Sequence, residues 1–128
     1  METFLLRKSE SRELKRYKMY ITIPVSGLIR FSKLTSETLN INSGDRISFF
    51  EDDSLEGNWF FKISKDGEFS IKEYWNGQKT SSYLAFGSTR LKQEIWDSLC
   101  IEDKSVNLYI EEEIKSEDQE IFYKLEVI

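Results

Sequence analysis

The stretch "GLIRFSKLTSETLNINSGDRISF" (residues 27–49) contains the pattern that decides the predicted fold. Apolar residues alternate in its first part, with Ile29 and Phe31 on one side, which is typical of a strand with one buried face. Ser32 is a suitable N-cap for a short helix that follows this strand. The segment "SGDR" then turns the chain, and Gly44 is suited to a positive φ. The stretch therefore predicts a strand, a short helix and a second strand.

Apolar alternation on both sides of this stretch predicts a chain dominated by strands. A longer helix is expected over residues 90–99, because Leu91, Ile95 and Leu99 form an apolar stripe and Ser88 or Thr89 can cap it. Asp-Gly and Asn-Gly pairs at residues 66–67 and 76–77 predict turns between strands. The predicted strands cover residues 20–25, 28–32, 46–50, 59–63, 69–74, 81–86, 105–110 and 120–128.

The order strand, helix, strand, strand occurs twice along the chain. "LNI" (39–41) and "LCI" (99–101) both follow a predicted helix, and "WFFKI" (59–63) resembles "IFYKL" (121–125). Internal duplication is one explanation, and chance similarity between two alternating segments is the other. A unit of about 45 residues cannot bury a helix stripe and a sheet face alone, so each copy would need the other.

The predicted fold class is thus α+β and β-rich, with two tandem β-α-β-β units that share one core in a pseudo-twofold arrangement. The predicted organisation comprises a basic N-terminal arm or short helix at 1–18, a first unit at 19–64 and a second unit at 65–128, packed as one globular domain.

Composition limits the chemistry that the chain can perform. The sequence has no histidine and a single cysteine, so no Ser-His-Asp triad, Cys-His pair or imidazole metal site can form. We therefore expect no enzyme activity, no catalytic residues, no cofactor and no metal site. Cys100 is flanked by Leu99 and Ile101, which predicts an ordinary buried thiol. Short apolar runs and the absence of a recognisable signal sequence predict a cytoplasmic protein with no membrane partner.

Charge is distributed unevenly along the chain. Residues 1–33 contain eight Lys or Arg residues and three acidic residues, although the formal net charge of the whole chain is −5. This asymmetry is compatible with a basic arm that contacts an anion such as nucleic acid. A solvated helix of mixed charge is the alternative interpretation.

The region 19–63 resembles the SpoVT/AbrB swapped-hairpin family. The similarity rests on Gly27, the strand Leu28–Phe31, the pair Ser32-Lys33 and the segment "LNINSGDR" (39–46), which shares L-x-I-x-x-G-D-R with the family pattern L-G-[IVL]-x-x-G-D-[KR]. The chain is also similar to short bacterial proteins, themselves without an assigned function, in which two such halves occur in tandem. The resemblance implies a DNA-binding regulator or antitoxin. It places the nucleic-acid-binding residues at Arg12, Lys15, Arg16, Lys18, Arg30 and Lys33.

The sequence is therefore compatible with two functions. The first is an AbrB-like, DNA-associated regulator, in which Arg12, Lys15, Arg16 and Lys18 contact phosphates while Arg30 or Lys33 contacts bases or a groove of duplex DNA. The second is a protein-interaction module, antitoxin-like or phage-associated, that binds an unidentified protein through acidic surfaces and does not bind nucleic acid. The acidic clusters Glu51-Asp52-Asp53 and Glu111-Glu112-Glu113, predicted at strand ends, are compatible with such a surface or with solvated turns. Either function is compatible with a monomer or a homodimer. Trp75, beside Asn76-Gly77, is predicted to be the exposed tryptophan.

Overall fold

A computed structural model describes residues 19–102, 104–116 and 118–127. The strands are β1 (Tyr20–Ile23), β2 (Leu28–Phe31), β3 (Arg46–Glu51), β4 (Trp59–Ile63), β5 (Phe69–Ser70), β6 (Lys72–Trp75), β7 (Ser82–Gly87), β8 (Val106–Lys115) and β9 (Ile121–Val127). The helices in this part of the chain are α1 (Lys33–Thr38) and α2 (Thr89–Ser98).

The nine strands form one antiparallel sheet in the order β5-β3-β4-β9-β8-β1-β2-β7-β6. Strands β5 and β6 lie at opposite ends of this order, although only Ile71 separates them in the chain. Ile71 bonds through its backbone to Gly44 and Asp45, with N···O distances of 2.8 Å in both directions. The sheet therefore curls into a nearly closed barrel, which leaves few strand edges unpaired.

This topology shows that the predicted pair of tandem β-α-β-β units, with its pseudo-twofold arrangement, is wrong. Strands from the two parts of the chain alternate in one sheet, because β4 pairs with β9, β1 pairs with β8 and β2 pairs with β7. The physical reason is that each hairpin has two edges whose N–H and C=O groups need partners. Apolar alternation identifies the buried face of a strand, but not the strand beside it.

The inner face of the sheet and one face of α2 form a single apolar core. Its largest fully buried side chain is Phe61. Aromatic rings connect distant strands through this core: Phe61 lies 5.0 Å from Tyr123 and 5.8 Å from Phe49 between ring centroids, and Phe49 lies 5.8 Å from Phe86. The core contains Ile21, Ile23, Ile29, Phe31, Ile41, Ile47, Phe49, Trp59, Phe61, Ile71, Phe86, Leu91, Ile95, Trp96, Leu108 and Leu125.

Both helices begin at the predicted serines. The Ser32 hydroxyl accepts from the Thr35 N–H at 3.2 Å, and the Ser88 hydroxyl accepts from the Leu91 N–H at 3.1 Å. Each cap therefore satisfies a backbone donor in the first helical turn. Helix α1 ends before Asn40, which has a φ of 55°, and Gly44 occupies a separate turn with a φ of 99°.

Cys100 is exposed, so the prediction of a buried thiol is wrong. The residue follows the C-cap of α2 and has a φ of 57°. A residue in this left-handed conformation reverses the chain direction at a helix end. The apolar neighbours Leu99 and Ile101 pack against the core instead.

Tyr123 is expected to make the stability of the folded protein fall at alkaline pH. Burial, reinforced by the negative charge of Glu113 on the paired strand, raises the pKa of Tyr123 above its ordinary value of about 10.0. The folded state thus retains this proton at a higher pH than the unfolded state does. The resulting stabilisation is complete below about pH 10 and is lost as the pH rises through the folded pKa.

We expect the urea midpoint of the wild-type protein to fall more steeply between pH 8 and pH 11 than that of Tyr123→Phe. Equal losses in the two proteins would show that ionisation of Tyr123 does not limit alkaline stability.

Candidate functional site

Two of the six predicted nucleic-acid-binding residues belong to the described part of the chain. Arg30 is exposed on β2, and Lys33 is exposed in the first turn of α1. Lys33 lies 4.0 Å from the Glu37 carboxylate, and its side chain is 90% exposed. The other four residues lie outside the described residues, at Arg12, Lys15, Arg16 and Lys18.

Strand pairing places Arg30 beside a second cation that the sequence analysis did not select. Arg30 is paired with Ala85 on β7, and Ala85 is paired with Lys72 on β6. Directly paired residues on neighbouring strands point to the same side of a sheet. Arg30 and Lys72 therefore flank the small side chain of Ala85 on one face, and both are exposed.

Two tyrosines extend this face. The Arg30 guanidinium lies 5.5 Å from the ring centroid of Tyr83, and the Tyr83 ring stacks on Tyr74 at 5.8 Å with an interplanar angle of 13°. We call the surface formed by Arg30, Lys72, Tyr74 and Tyr83 the Arg30 face. The guanidinium over the ring is held by a cation–π interaction, which orients its donors without removing its charge.

A groove opens on the other side of the β6–β7 hairpin, against α1. Its volume is about 490 Å³, and we call it the Trp75 groove. Trp75 follows Tyr74 in β6 and therefore points to the opposite side of the strand. The groove is lined by Phe31, Lys33, Ser36, Glu37, Trp75, Thr80, Ser81, Ser82, Tyr83 and Leu84. The prediction that Trp75 is the exposed tryptophan is confirmed, since 55% of this residue is exposed.

The loop that follows Trp75 is held by hydrogen bonds from one side chain. The Asn76 amide donates to the Thr80 and Ser81 hydroxyls at 2.9 and 3.0 Å, and its carbonyl oxygen accepts from the Thr80 N–H at 2.9 Å. Lys79 has a φ of 57° within this loop. The turn predicted at Asn76-Gly77 is present as a loop over residues 76–81, which sets the register of Tyr74 against Tyr83.

Sequence reasoning missed Lys72, Tyr74 and Tyr83 because it did not pair the strands that contain them. The predicted strands at residues 69–74 and 81–86 leave their register open, and the structure pairs Trp75 with Ser82. The available signal was the similar alternation of "KEYW" (72–75) and "SYLAF" (82–86). The length of the loop between the two strands decides which residues pair, and with it the contact between Tyr74 and Tyr83.

Of the two predicted acidic clusters, the first forms hydrogen bonds within its own loop and the second lies in a strand. The Glu51 carboxylate accepts from the Gly57 N–H at 2.8 Å, and Asp52 accepts from the N–H and the hydroxyl of Ser54 at 2.9 and 2.7 Å. These bonds to Ser54 lower the pKa of Asp52. Residues 111–113 belong to β8 rather than to a loop. Across the described ranges, no group of three or more His, Cys, Asp or Glu residues could hold a metal ion.

A separate apolar patch lies on the outer surface of β3, β4, β8 and β9. Phe50 and Ile114 are 41% and 37% exposed, and the rings of Phe50 and Phe122 meet edge to face at 5.6 Å. The Lys62 ammonium lies 5.9 Å from the Phe50 ring centroid and 5.5 Å from that of Phe122, and it bonds to Glu120 at 2.8 Å. We call this surface the Phe50 patch.

No protein-family model, curated protein or solved structure matched the chain in the comparisons made. Within the part of the chain that the structure describes, neither helix has the length and apolar character needed to cross a membrane. The geometry of the two surfaces on the β6–β7 hairpin therefore carries the functional argument.

Proposed function

We propose that the protein is a DNA-associated regulator that contacts nucleic acid through the Arg30 face. The observation that carries this proposal is the placement of Arg30 and Lys72 on either side of Ala85, next to the stacked rings of Tyr83 and Tyr74. The sequence predicts that Arg30 contacts nucleic acid. The geometry supports this role, because it surrounds Arg30 with two aromatic residues and a second basic residue. The resemblance of residues 19–63 to the SpoVT/AbrB family agrees with the proposal and stays a prediction.

The chemistry of this face suits a polyanion. Lysine and arginine that neutralise phosphates release condensed counterions, which supplies most of the sequence-independent affinity for nucleic acid. Tyrosine hydroxyls donate to phosphate and sugar oxygens, and arginine can also reach base edges. Lys33 lies on the other side of the hairpin, at the Trp75 groove, 4.0 Å from the Glu37 carboxylate and with 90% of its side chain exposed. Arg30 and Lys72 thus place two cations on one face of a chain whose net charge is −5.

Reversing the two charges of the Arg30 face is expected to abolish most of the binding to DNA. In a fluorescence anisotropy titration with duplex DNA, we expect Arg30→Glu/Lys72→Glu to bind at least about 10-fold more weakly than wild type at low salt. The slope of log affinity against log salt is expected to fall by about 2, because each phosphate contact contributes about 1.

A matched control separates this local effect from a change in net charge. Lys65→Glu/Lys115→Glu also replaces two cations by two carboxylates, so it changes the net charge by the same amount. Both lysines are exposed and lie away from the Arg30 face, at the β4–β5 turn and at the end of β8. This control should retain the wild-type affinity and slope. A wild-type protein that binds neither duplex nor single-stranded DNA at low salt would refute the proposed function, and equal losses in the two variants would refute the Arg30 face. Arg16→Glu/Lys18→Glu, in the same titration, measures the contribution predicted for the basic arm.

The Phe50 patch favours a second candidate function, a protein-interaction module. Exposed aromatic and aliphatic side chains that adjoin one another are enriched at protein interfaces. Here Phe50 and Phe122 meet under the Lys62 ammonium, and the exposed Ile114 pairs with Phe122 on the neighbouring strand. A partner retained from nuclease-treated lysate by wild-type protein, but not by Phe50→Ser/Ile114→Ser, would support this function.

A further inference from the structure

Trp75 differs from the other two tryptophans in its surroundings. Trp59 and Trp96 are only 5% and 4% exposed, and their indole N–H groups donate to the Ser98 hydroxyl at 2.7 Å and to the Ile23 carbonyl at 3.3 Å. Trp75, with 55% of its surface exposed, lines an open groove instead. Large aromatic surface in contact with water is unfavourable, and it is found where a flat or apolar ligand binds.

The other groups of the Trp75 groove identify the chemistry of that ligand. The Ser81 hydroxyl accepts from the Asn76 amide and keeps its own O–H to donate into the groove, and the Glu37 carboxylate is an acceptor there. The hydroxyls of Ser36 and Ser82 donate to the Ser32 carbonyl and the Glu73 carboxylate and can still accept a hydrogen bond. The ammonium of Lys33 lies at the same groove, 4.0 Å from the Glu37 carboxylate, and 90% of its side chain is exposed. Exposed ion pairs of this kind are weak, so the ammonium can turn to a ligand phosphate. A ligand that matches this set has a flat π surface, a polar edge and a nearby negative charge. A nucleobase with its phosphate has all three properties.

We propose that the Trp75 groove binds an unpaired base of single-stranded nucleic acid, stacked on the indole of Trp75, with the neighbouring phosphate beside Lys33. This inference rests on the proposed function, because it names the form of nucleic acid that the same hairpin recognises. Tyr83 belongs to the Arg30 face and also borders the groove, so the two surfaces are continuous around β7. A single strand of nucleic acid can therefore run along the cations of the Arg30 face and insert one base into the Trp75 groove.

Single-stranded nucleic acid fits this arrangement better than a duplex does. Bases inside a duplex are covered on both faces, whereas unstacked bases present a face that aromatic side chains can stack on. The hydrogen bonds of Asn76 hold the loop that follows Trp75 in place, so the backbone next to the indole is ordered before the ligand arrives. Preorganisation of this kind reduces the entropy that binding must overcome.

The experiment measures binding of a single-stranded oligodeoxythymidine of about 10 nucleotides, a length typical of small β-barrel domains. Tryptophan fluorescence should be quenched on binding, because Trp75 is the exposed indole among the three. We expect Trp75→Ala to bind about 10- to 100-fold more weakly than wild type, and Trp75→Phe to lose clearly less, since a phenyl ring can still stack. An abasic oligonucleotide of the same length, which keeps the phosphates, should also bind more weakly.

Phe50→Ala provides the matched control, because Phe50 is also an exposed aromatic residue on the sheet but belongs to the Phe50 patch. Its affinity for the oligonucleotide should equal that of wild type. If wild type and Trp75→Ala bind the oligonucleotide equally well, or the abasic form binds as tightly as the intact one, this inference is overturned while the proposed function stands. If wild type binds no nucleic acid at low salt, the proposed function and this inference both fail.

Discussion

Phe61→Ala is expected to lower the free energy of unfolding by about 3–5 kcal/mol, the range measured when a buried phenylalanine is truncated. Phe61 is fully buried on β4, between the Tyr123 ring at 5.0 Å and the Phe49 ring at 5.8 Å. Removing it leaves a cavity between strands from distant parts of the chain. A small domain has a total stability of about 5–15 kcal/mol, so this loss is a large share of the whole.

Phe50→Ala is the control for this prediction. Phe50 lies on the neighbouring strand β3 but on the outer surface, with 41% of its area exposed, and we expect a loss of about 1 kcal/mol or less. Urea unfolding followed by circular dichroism compares the two variants. If Phe61→Ala does not fold, Phe61→Leu keeps the comparison measurable with an expected loss below that of alanine. Equal losses at the two positions would contradict the burial pattern of the sheet.

The positions of buried residues were largely predictable from the sequence because apolar alternation reports the two faces of a strand. Ile29, Phe31 and Phe61 all lie in the core as their spacing predicts. Val25 is the instructive exception. It continues the alternation of Ile21 and Ile23 but is 58% exposed, since the strand ends before Pro24.

Strand pairing was not predictable in the same way. The similarity between residues 59–63 and 121–125 suggested two separate copies, yet Phe61 and Tyr123 face each other on adjacent strands. Periodicity along one strand contains no information about its neighbour, which depends on loop lengths and on how the whole sheet closes. The Arg30 face was missed for the same reason, because Arg30, Lys72 and Tyr83 belong to three different strands.

Gly67 illustrates how a correct local prediction can rest on the wrong cause. The pair Asp66-Gly67 predicts a turn by its preference for positive φ, and a turn is present between β4 and β5. Among the described glycines, however, positive φ values belong to Gly27, Gly44 and Gly57, not to Gly67. The requirement for glycine is steric. A Cβ atom at Gly67 would lie 2.5 Å from the Ile47 nitrogen and 2.7 Å from the Arg46 carbonyl carbon.

Gly67→Ala is therefore expected to destabilise the protein by about 3 kcal/mol, at the upper end of the usual effect of overpacking. The obstructing atoms belong to the backbone of β3, so no side-chain rotation can relieve the clash. Displacing the turn would also break the bond from the Arg46 guanidinium to the Gly67 carbonyl oxygen, which measures 2.7 Å. Gly77→Ala is the matched control, because no atom lies within 4 Å of a Cβ at that position, and its stability should stay within about 0.5 kcal/mol of wild type.

Thermal and urea unfolding of the two alanine variants decide between these effects. Should Gly67→Ala fail to fold, its yield of soluble protein beside that of Gly77→Ala gives the same comparison. A Gly67→Ala protein as stable as Gly77→Ala would mean that the turn can move away from β3 at little cost. That result would contradict the close packing of the turn against β3 at the point where β5 joins it.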